Sequence, residues 1–216
     1  MKFQSKSFVI SAFIVLVLLA NLAGAQEPKK MPERTRLSTN VAHNKGFIPP
    51  PFDLSHLADA KIAQKLQALE IPERWDWREQ GIITPVQDQG GCGACYAFAS
   101  LANIESRLLI EGDGPYNFSE NHAKECNWYE TGCSGGWYEQ MINLFTKHGT
   151  VLEACNPYVD KEVGCDTTCP YITTPLDWRI ISGQNIPDAD LLKNYIYTYG
   201  PVFTTFYAGD DNDPEW

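Results

Sequence analysis

A cysteine, an amide side chain and a helix start lie close together in residues 89–98, which read Gln-Gly-Gly-Cys-Gly-Ala-Cys-Tyr-Ala-Phe. Apolar spacing predicts that a helix begins at Cys95. Unpaired N–H groups at a helix start stabilise a thiolate, the form of cysteine that attacks carbonyl groups. Gln89 lies six residues upstream across a glycine-rich loop, where its side-chain amide can donate to a developing oxyanion. These residue types suit the chemistry of a thiol hydrolase.

Further motifs, in the same order along the chain, resemble the first half of mature papain-like cysteine peptidases. They are Ile-Pro-Glu-Arg-Trp-Asp-Trp-Arg at 71–78, Thr-Pro-Val at 84–86, residues 89–98, Ile104-Glu105, Ser119-Glu120 before Cys126, Cys-Ser-Gly-Gly-Trp at 133–137 and Asn-Pro-Tyr at 156–158. The resemblance covers about residues 71–208 and includes the motif around the nucleophile. It implies the papain-like two-lobe α+β fold, with the helical nucleophile lobe present and the β-rich histidine lobe truncated.

The resemblance also implies roles for particular residues. Cys95 is the expected nucleophile, which attacks a peptide carbonyl and forms an acyl-enzyme that water then hydrolyses. Gln89 and the backbone N–H of Cys95 are the expected oxyanion donors. Gly135 and Gly136 are expected to lie along the substrate, because glycine permits a close backbone approach. Trp137 is expected to border the pocket for the second substrate residue before the cleavage point, and the alternative is that it belongs to the core.

In the family that the motifs resemble, the histidine that partners the cysteine and the asparagine that orients it lie more than about 100 residues downstream, in the β-rich lobe. The given sequence ends at Trp216, shortly after residues 200–206, which read as the first strand of that lobe. His122 and His148 fall in predicted helices of the nucleophile lobe and are not expected to replace the missing imidazole. The 216-residue chain alone is therefore expected to be inactive.

The expected partners are peptide or protein substrates and proteinaceous inhibitors of cysteine proteases, and no cofactor or metal is expected. An alternative function is that of a non-catalytic truncated homologue, which binds peptides or inhibitors without cleaving them. The net charge of −10 argues against nucleic acid as a partner, because phosphate binding needs a basic surface.

The chain begins with features of a secretory signal peptide. Lysines precede an apolar run at residues 8–20, and Ala-Gly-Ala follows at 23–25. The run is shorter than the stretch of about 20 apolar residues that spans a bilayer, although a retained anchor is the alternative. We expect a signal peptide over residues 1–25, cleavage near Ala25, a secreted or extracytoplasmic product, and no membrane association after cleavage.

Three further segments follow the predicted signal peptide. Residues 26–70 are rich in proline, contain a predicted amphipathic helix within 54–69, and resemble a short propeptide, with a surface arm as the alternative. Residues 71–185 are the expected helical nucleophile lobe, with helices predicted at 95–109, 120–126 and 137–148. Residues 186–216 are the expected start of the truncated β-rich lobe, and a helix is predicted there at 188–199.

Seven cysteines in an exported chain favour a disulfide framework with one thiol left over. The resemblance implies that Cys92 pairs with Cys133 and Cys126 with Cys165, which leaves Cys155 and Cys169 as a third pair and Cys95 free. Two alternatives remain: a zinc site, suggested by the Cys92-x-x-Cys95 and Cys165-x-x-x-Cys169 spacings, and a thioredoxin-like redox pair of Cys92 and Cys95. Within the predicted central helix, Glu105 lies on the apolar face, where a buried carboxylate needs a partner. Tyr96 stands where the family has tryptophan, and altered packing is the expected effect.

Overall fold

The computed structural model describes residues 46, 48, 50, 51, 53–58, 60–182 and 185–206. All of these residues lie within 37–216, which form one structural unit. The predicted signal peptide and residues 26–45 of the predicted propeptide lie outside the described residues, so their assignments stay predictions.

The described residues form five α-helices and two short 3-10 turns. The helices are α1 (Ala60–Gln67), α2 (Cys95–Ile110), α3 (Glu120–Glu125), α4 (Tyr138–Lys147) and α5 (Ala189–Tyr199), and the turns are Ser55–Leu57 and Gly132–Ser134. The four helices predicted after residue 71 are confirmed to within about two residues at each end. The helix predicted within 54–69 is shorter, because Leu57 and Leu69 remain exposed and only the α1 segment between them buries an apolar side chain, Leu66.

The hydrophobic core lies between α2, α3 and α4. Its buried residues are Tyr96, Ala97, Leu101, Phe118, Ala123, Met141, Leu144 and Phe145. Burial of a large apolar side chain contributes about 1.5–3 kcal/mol, so this cluster is a major source of stability. Because α2 supplies the first three members, the core also holds the beginning of α2 in place.

A buried carboxylate connects α2 to the segment that precedes α3. Glu105 is 4% exposed, and its Oε1 accepts a 2.8 Å hydrogen bond from the backbone N–H of Phe118. Phe118 also forms an isolated antiparallel bridge with Leu152. Glu105 therefore has the partner that its position on the apolar helix face requires.

Two tryptophans that follow α1 attach the N-terminal part of the described chain to α5. The indole N–H of Trp77 donates a 2.7 Å hydrogen bond to the carbonyl of Ile196. The ring of Trp75 meets the ring of Tyr197 edge-on, with centroids 4.8 Å apart. Helix α1 packs against α5 as well, so the segment before the predicted mature N-terminus is in contact with the predicted second lobe.

The strand predicted within residues 200–206 does not form in the described part of the chain. Residues 201–206 are irregular, and no strand occurs anywhere among the described residues. A strand is stable only when a neighbouring strand completes its hydrogen-bonded ladder, and none lies beside this segment. Instead, Asn103 of α2 donates a hydrogen bond to the carbonyl of Pro201. The described structure is helical, and the β part of the expected α+β fold has no counterpart in it.

Three disulfides join the described cysteines. They are Cys92–Cys133, Cys126–Cys165 and Cys155–Cys169, the pairs that the family resemblance implies, and Cys95 is free. Because Cys92 is bonded to Cys133, it forms no redox pair with Cys95. Three disulfides are typical of proteins from oxidising compartments and indicate an extracytoplasmic location. Within the described ranges, no helix has the length and apolar character needed to cross a bilayer.

Candidate active site

The thiol of Cys95 lies at the beginning of α2. Ala94 precedes the helix and contributes no side-chain cap, so the first backbone N–H groups of the helix are available to the thiol. The backbone N–H groups of Tyr96 and Cys95 lie close enough to the sulphur to stabilise a negative charge on it. Burial nevertheless raises the pKa of the Cys95 thiol, although these N–H donors and that of Gly46 act in the opposite direction. The thiolate predicted from the helix start is therefore disfavoured in this form of the protein.

Gly46, from the predicted propeptide, lies directly against the nucleophile. Its backbone hydrogen-bonds the Cys95 thiol, and its carbonyl accepts a 2.7 Å hydrogen bond from the N–H of Gly136. The N–H of Ile48 donates a 2.9 Å hydrogen bond to the carbonyl of Gly136. In parallel strands, the N–H and the carbonyl of one residue bond to two residues of the other strand that lie two positions apart. Gly46 and Ile48 therefore run along Gly136 in a parallel register.

Gly135 and Gly136, the glycine wall, lie beside Gly46, which contacts the nucleophile. Gly135 has a φ of 103°, a backbone conformation that residues other than glycine rarely adopt. A Cβ at Gly136 would clash with Oε1 of Gln140 and lie 2.9 Å from the ring of Tyr96. The structure thus brings Cys95, Gly135 and Gly136 together around Gly46.

Three links hold this wall to the start of α2. Cys92 is bonded to Cys133, and the N–H of Gly93 donates a 3.1 Å hydrogen bond to the carbonyl of Cys133. The hydroxyl of Tyr96 donates a 2.8 Å bond to the carbonyl of Gly132. A tryptophan at position 96 could not place a hydroxyl there, so the departure from the family residue adds a polar contact as well as changing the packing.

Gln89 lies in the loop that precedes the nucleophile. Its backbone carbonyl accepts a 3.4 Å hydrogen bond from the N–H of Cys92 and a 2.8 Å bond from the hydroxyl of Tyr158. These contacts fix the backbone of Gln89, and the oxyanion role of its side-chain amide stays a prediction.

Trp137 directly follows the glycine wall. It is 8% exposed, its ring packs 5.0 Å from the ring of Tyr129, and its indole N–H donates to Glu139. This burial agrees with the alternative that Trp137 belongs to the core, and its place at a substrate pocket stays a prediction.

Both histidines of the predicted nucleophile lobe contact Tyr171. His122 meets that ring edge-on at 5.6 Å, and His148 stacks on it at 5.9 Å. Burial and the nearby His148 lower the pKa of His122 to about 4. Neither contact involves Cys95. Elsewhere in the described chain, His56 lies in an exposed 3-10 turn, whereas His43 lies outside the described residues.

Sequence reasoning did not find three of the contacts at this site. Gly46 is the only glycine in residues 26–70, and a lone glycine in a segment can mark a close backbone approach. Tyr158 lies in an Asn-Pro-Tyr motif that predicts no role for its hydroxyl, and the residue type at Tyr96 predicts only a change in packing. Sequence patterns do not report which backbone carbonyl a tyrosine hydroxyl reaches. The described residues also contain no cluster of three or more side chains suited to hold a metal.

Comparison with known proteins gives consistent results. The family model described as "Papain family cysteine protease" matches residues 71–213. The viral cathepsin of Heliothis zea nuclear polyhedrosis virus is 32% identical over 168 residues, which cover 77% of this chain and 45% of the relative. Cysteine proteinase 2 of Entamoeba histolytica is 41% identical over 106 residues, which cover 47% of this chain and 32% of the relative. The chain thus spans less than half the length of these two relatives.

Two solved structures have related folds. The 2.05 Å crystal structure of Amb a 11 cysteine protease, a ragweed pollen allergen from Ambrosia artemisiifolia, shows its proform. It matches with a TM-score of 0.52 and 32% identity over 65% of this chain and 43% of that chain. The Carica candamarcensis cysteine protease CMS1MS2, in complex with E-64, matches with a TM-score of 0.50 and 26% identity over 59% of this chain and 60% of that chain.

Proposed function

The chain belongs to the papain family of cysteine proteases, and on that premise we propose that it carries the nucleophile of a secreted peptidase that hydrolyses peptide bonds. The observation that carries the proposal is the position of Cys95. It is the free cysteine of the described chain, it begins α2, and the backbone N–H groups of Tyr96 and Cys95 favour the charged form of its thiol. Export by residues 1–25 belongs to the same proposal.

In the proposed reaction, the Cys95 thiolate attacks the carbonyl carbon of a peptide. The C–S bond forms, the π electrons of the carbonyl move to its oxygen, and the N–H of Cys95 and the side-chain amide of Gln89 donate to that oxygen. Collapse expels the amine, which takes up a proton, and leaves a thioester on Cys95. Water then attacks the thioester, which releases the carboxylic acid and regenerates the thiol.

The reaction needs a base that takes the proton of the thiol and returns it to the amine. His122 and His148 pack on Tyr171, away from the contacts made by Cys95, and His122 is held neutral by burial. We therefore assign the base to an imidazole outside the described residues, in the whole protein.

The glycine wall is the proposed binding edge for the substrate backbone. In this form, the N–H of Gly136 bonds to Gly46 and its carbonyl bonds to Ile48, so peptide backbone can occupy this edge. Gly46 and Ile48 would have to leave before a substrate could bind. This occupancy supports a zymogen, in which residues 26–70 act as an inhibitory propeptide. Peptide or protein substrates and peptide-like inhibitors such as E-64 are the proposed ligands.

The proposal is tested on the whole protein, purified from its natural source and compared with a recombinant Cys95→Ser variant. After removal of residues 26–70, we expect the natural protein to hydrolyse a fluorogenic peptide library and to react covalently with E-64 at Cys95. The variant should show neither activity. Peptide binding without turnover in the processed natural protein would instead favour the alternative, a non-catalytic homologue that binds peptides.

A further inference from the structure

Tyr158 connects the loop of the proposed oxyanion donor to the rest of the nucleophile lobe. Its hydroxyl donates a 2.8 Å hydrogen bond to the backbone carbonyl of Gln89, 69 residues earlier in the chain. The same carbonyl accepts the N–H of Cys92 at 3.4 Å, which closes the turn before the nucleophile. The two bonds determine the position of the peptide unit that follows Gln89.

The ring of Tyr158 is itself held by contacts from two helices and its own loop. It meets the ring of Phe98 edge-on, with centroids 4.9 Å apart, and Phe98 lies in α2, three residues after Cys95. The ammonium group of Lys124, a residue with 0% exposure, lies 5.8 Å from the ring centroid. The backbone N–H of Tyr158 also donates a 2.9 Å bond to Glu153. The hydroxyl therefore projects from a fixed ring.

A second contact comes from the residue two positions after Tyr158. The carboxylate of Asp160 lies against Gly90, the neighbour of Gln89. Residues 158–160 thus support consecutive positions of the loop. Burial, followed by the charge of Asp160, raises the pKa of the Tyr158 hydroxyl, so it remains a donor throughout the neutral and acidic pH range.

We infer that Tyr158 is a positioning residue for Gln89, which it holds at the distance from Cys95 that the oxyanion requires. This inference rests on the proposed function. A hydrogen-bond donor lowers the barrier only when it is already placed where the charge develops, and removal of one whole donor lowers kcat by roughly 10²–10³. Loss of the Tyr158 hydroxyl leaves the amide present but less well placed, so a smaller loss, roughly tenfold, is expected.

The test compares Tyr158→Phe with unmodified protein in the whole, processed enzyme. A peptide aldehyde adds the Cys95 sulphur to its carbonyl carbon, and the resulting oxygen occupies the oxyanion position. Iodoacetamide alkylates the same sulphur, displaces iodide and forms no oxyanion. We expect Tyr158→Phe to lower kcat and aldehyde affinity roughly tenfold, with KM and the alkylation rate unchanged.

Two controls separate positioning from a general structural role. Tyr116→Phe removes a hydroxyl that bonds to the exposed Asp113 and should change none of these measurements. In a Gln89→Ala background, Tyr158→Phe should have no further effect on kcat, because the group that it positions is absent.

The possible results have distinct meanings. Unchanged kcat and aldehyde affinity in Tyr158→Phe would overturn the inference. Equal losses of alkylation, aldehyde binding and thermal stability would also overturn it, because they would indicate a structural role alone. If the unmodified, processed protein neither hydrolysed peptides nor bound the aldehyde, the proposed function would fail, and the inference with it.

Discussion

The carbonyl of Gly46 accepts a 2.7 Å hydrogen bond from the N–H of Gly136. A residue that precedes the predicted mature chain thus occupies the backbone edge that we assign to the substrate. Gly46 also hydrogen-bonds the nucleophile, so one small residue contacts both the binding edge and the thiol. Release of this segment would free the edge of Gly136 and expose Cys95.

The first prediction concerns the absence of a side chain at Gly46. A Cβ there would overlap the backbone carbonyl of Gly93, which cannot move aside as a flexible side chain would. We expect Gly46→Ala to displace the segment and to increase the rate of Cys95 alkylation by iodoacetamide severalfold in the unprocessed protein. Pro51→Ala, an exposed position in the same segment, is the matched control. Equal alkylation rates in Gly46→Ala and unmodified protein would contradict the blocking role.

A second prediction concerns the hydroxyl of Tyr96. It donates to the carbonyl of Gly132 and accepts a 3.2 Å bond from the hydroxyl of Thr131. Tyr96→Phe leaves the buried carbonyl of Gly132 without this donor and should lower the free energy of unfolding by about 1–3 kcal/mol. Urea denaturation measures the change, and Tyr116→Phe should leave the midpoint unaltered. A Tyr96→Phe midpoint equal to that of the unmodified protein would mean that the hydroxyl contributes little.

The third prediction is acid sensitivity caused by His122. This residue is 1% exposed and its Nε2 has no hydrogen-bond partner. Burial and His148 lower its pKa from 6.5 to about 4, whereas Asp166 acts in the opposite direction. Between these values the unfolded chain binds a proton that the folded protein excludes, so stability falls as the pH falls from about 6.5 to 4. The full loss is about 3 kcal/mol.

Urea denaturation across this pH range checks the His122 prediction. His122→Phe keeps an aromatic ring beside Tyr171 and removes the titrating group, so its stability should depend less on pH than that of the unmodified protein. The variant His56→Ala, which changes an exposed histidine, should keep the pH dependence of stability of the unmodified protein. Parallel pH curves for His122→Phe and unmodified protein would exclude His122 as the cause.

The fourth prediction separates the hydrogen bond of Glu105 from its charge. Glu105→Gln keeps an oxygen that can accept the N–H of Phe118, whereas Glu105→Leu leaves that buried donor unpaired. We expect a loss of about 1–3 kcal/mol in unfolding free energy for the leucine variant and a smaller loss for the glutamine variant. Thermal denaturation at neutral pH compares the two. Equal losses would show that the negative charge itself is required.

Much of the helical part of the fold was predictable from local patterns. Cys95 begins α2 and Ala189 begins α5, close to the starts that apolar spacing and turn residues indicated. The prediction of a strand near Val202 was wrong, because local patterns do not report whether a partner strand is present. A strand depends on a partner strand, and none is present beside residues 201–206 in the described chain.

The amino-acid sequence by itself determined the family, the expected nucleophile and the approximate helices, because motif spacing and helical periodicity are local properties of a chain. Only the tertiary structure decided that Gly46 lies on Cys95, that Tyr158 reaches the carbonyl of Gln89, and that His122 is buried without a partner for its Nε2. These contacts join residues that are far apart in the sequence or arise from burial. They depend on how the helices and loops pack together, and the spacing of residues along a single segment carries no record of that packing.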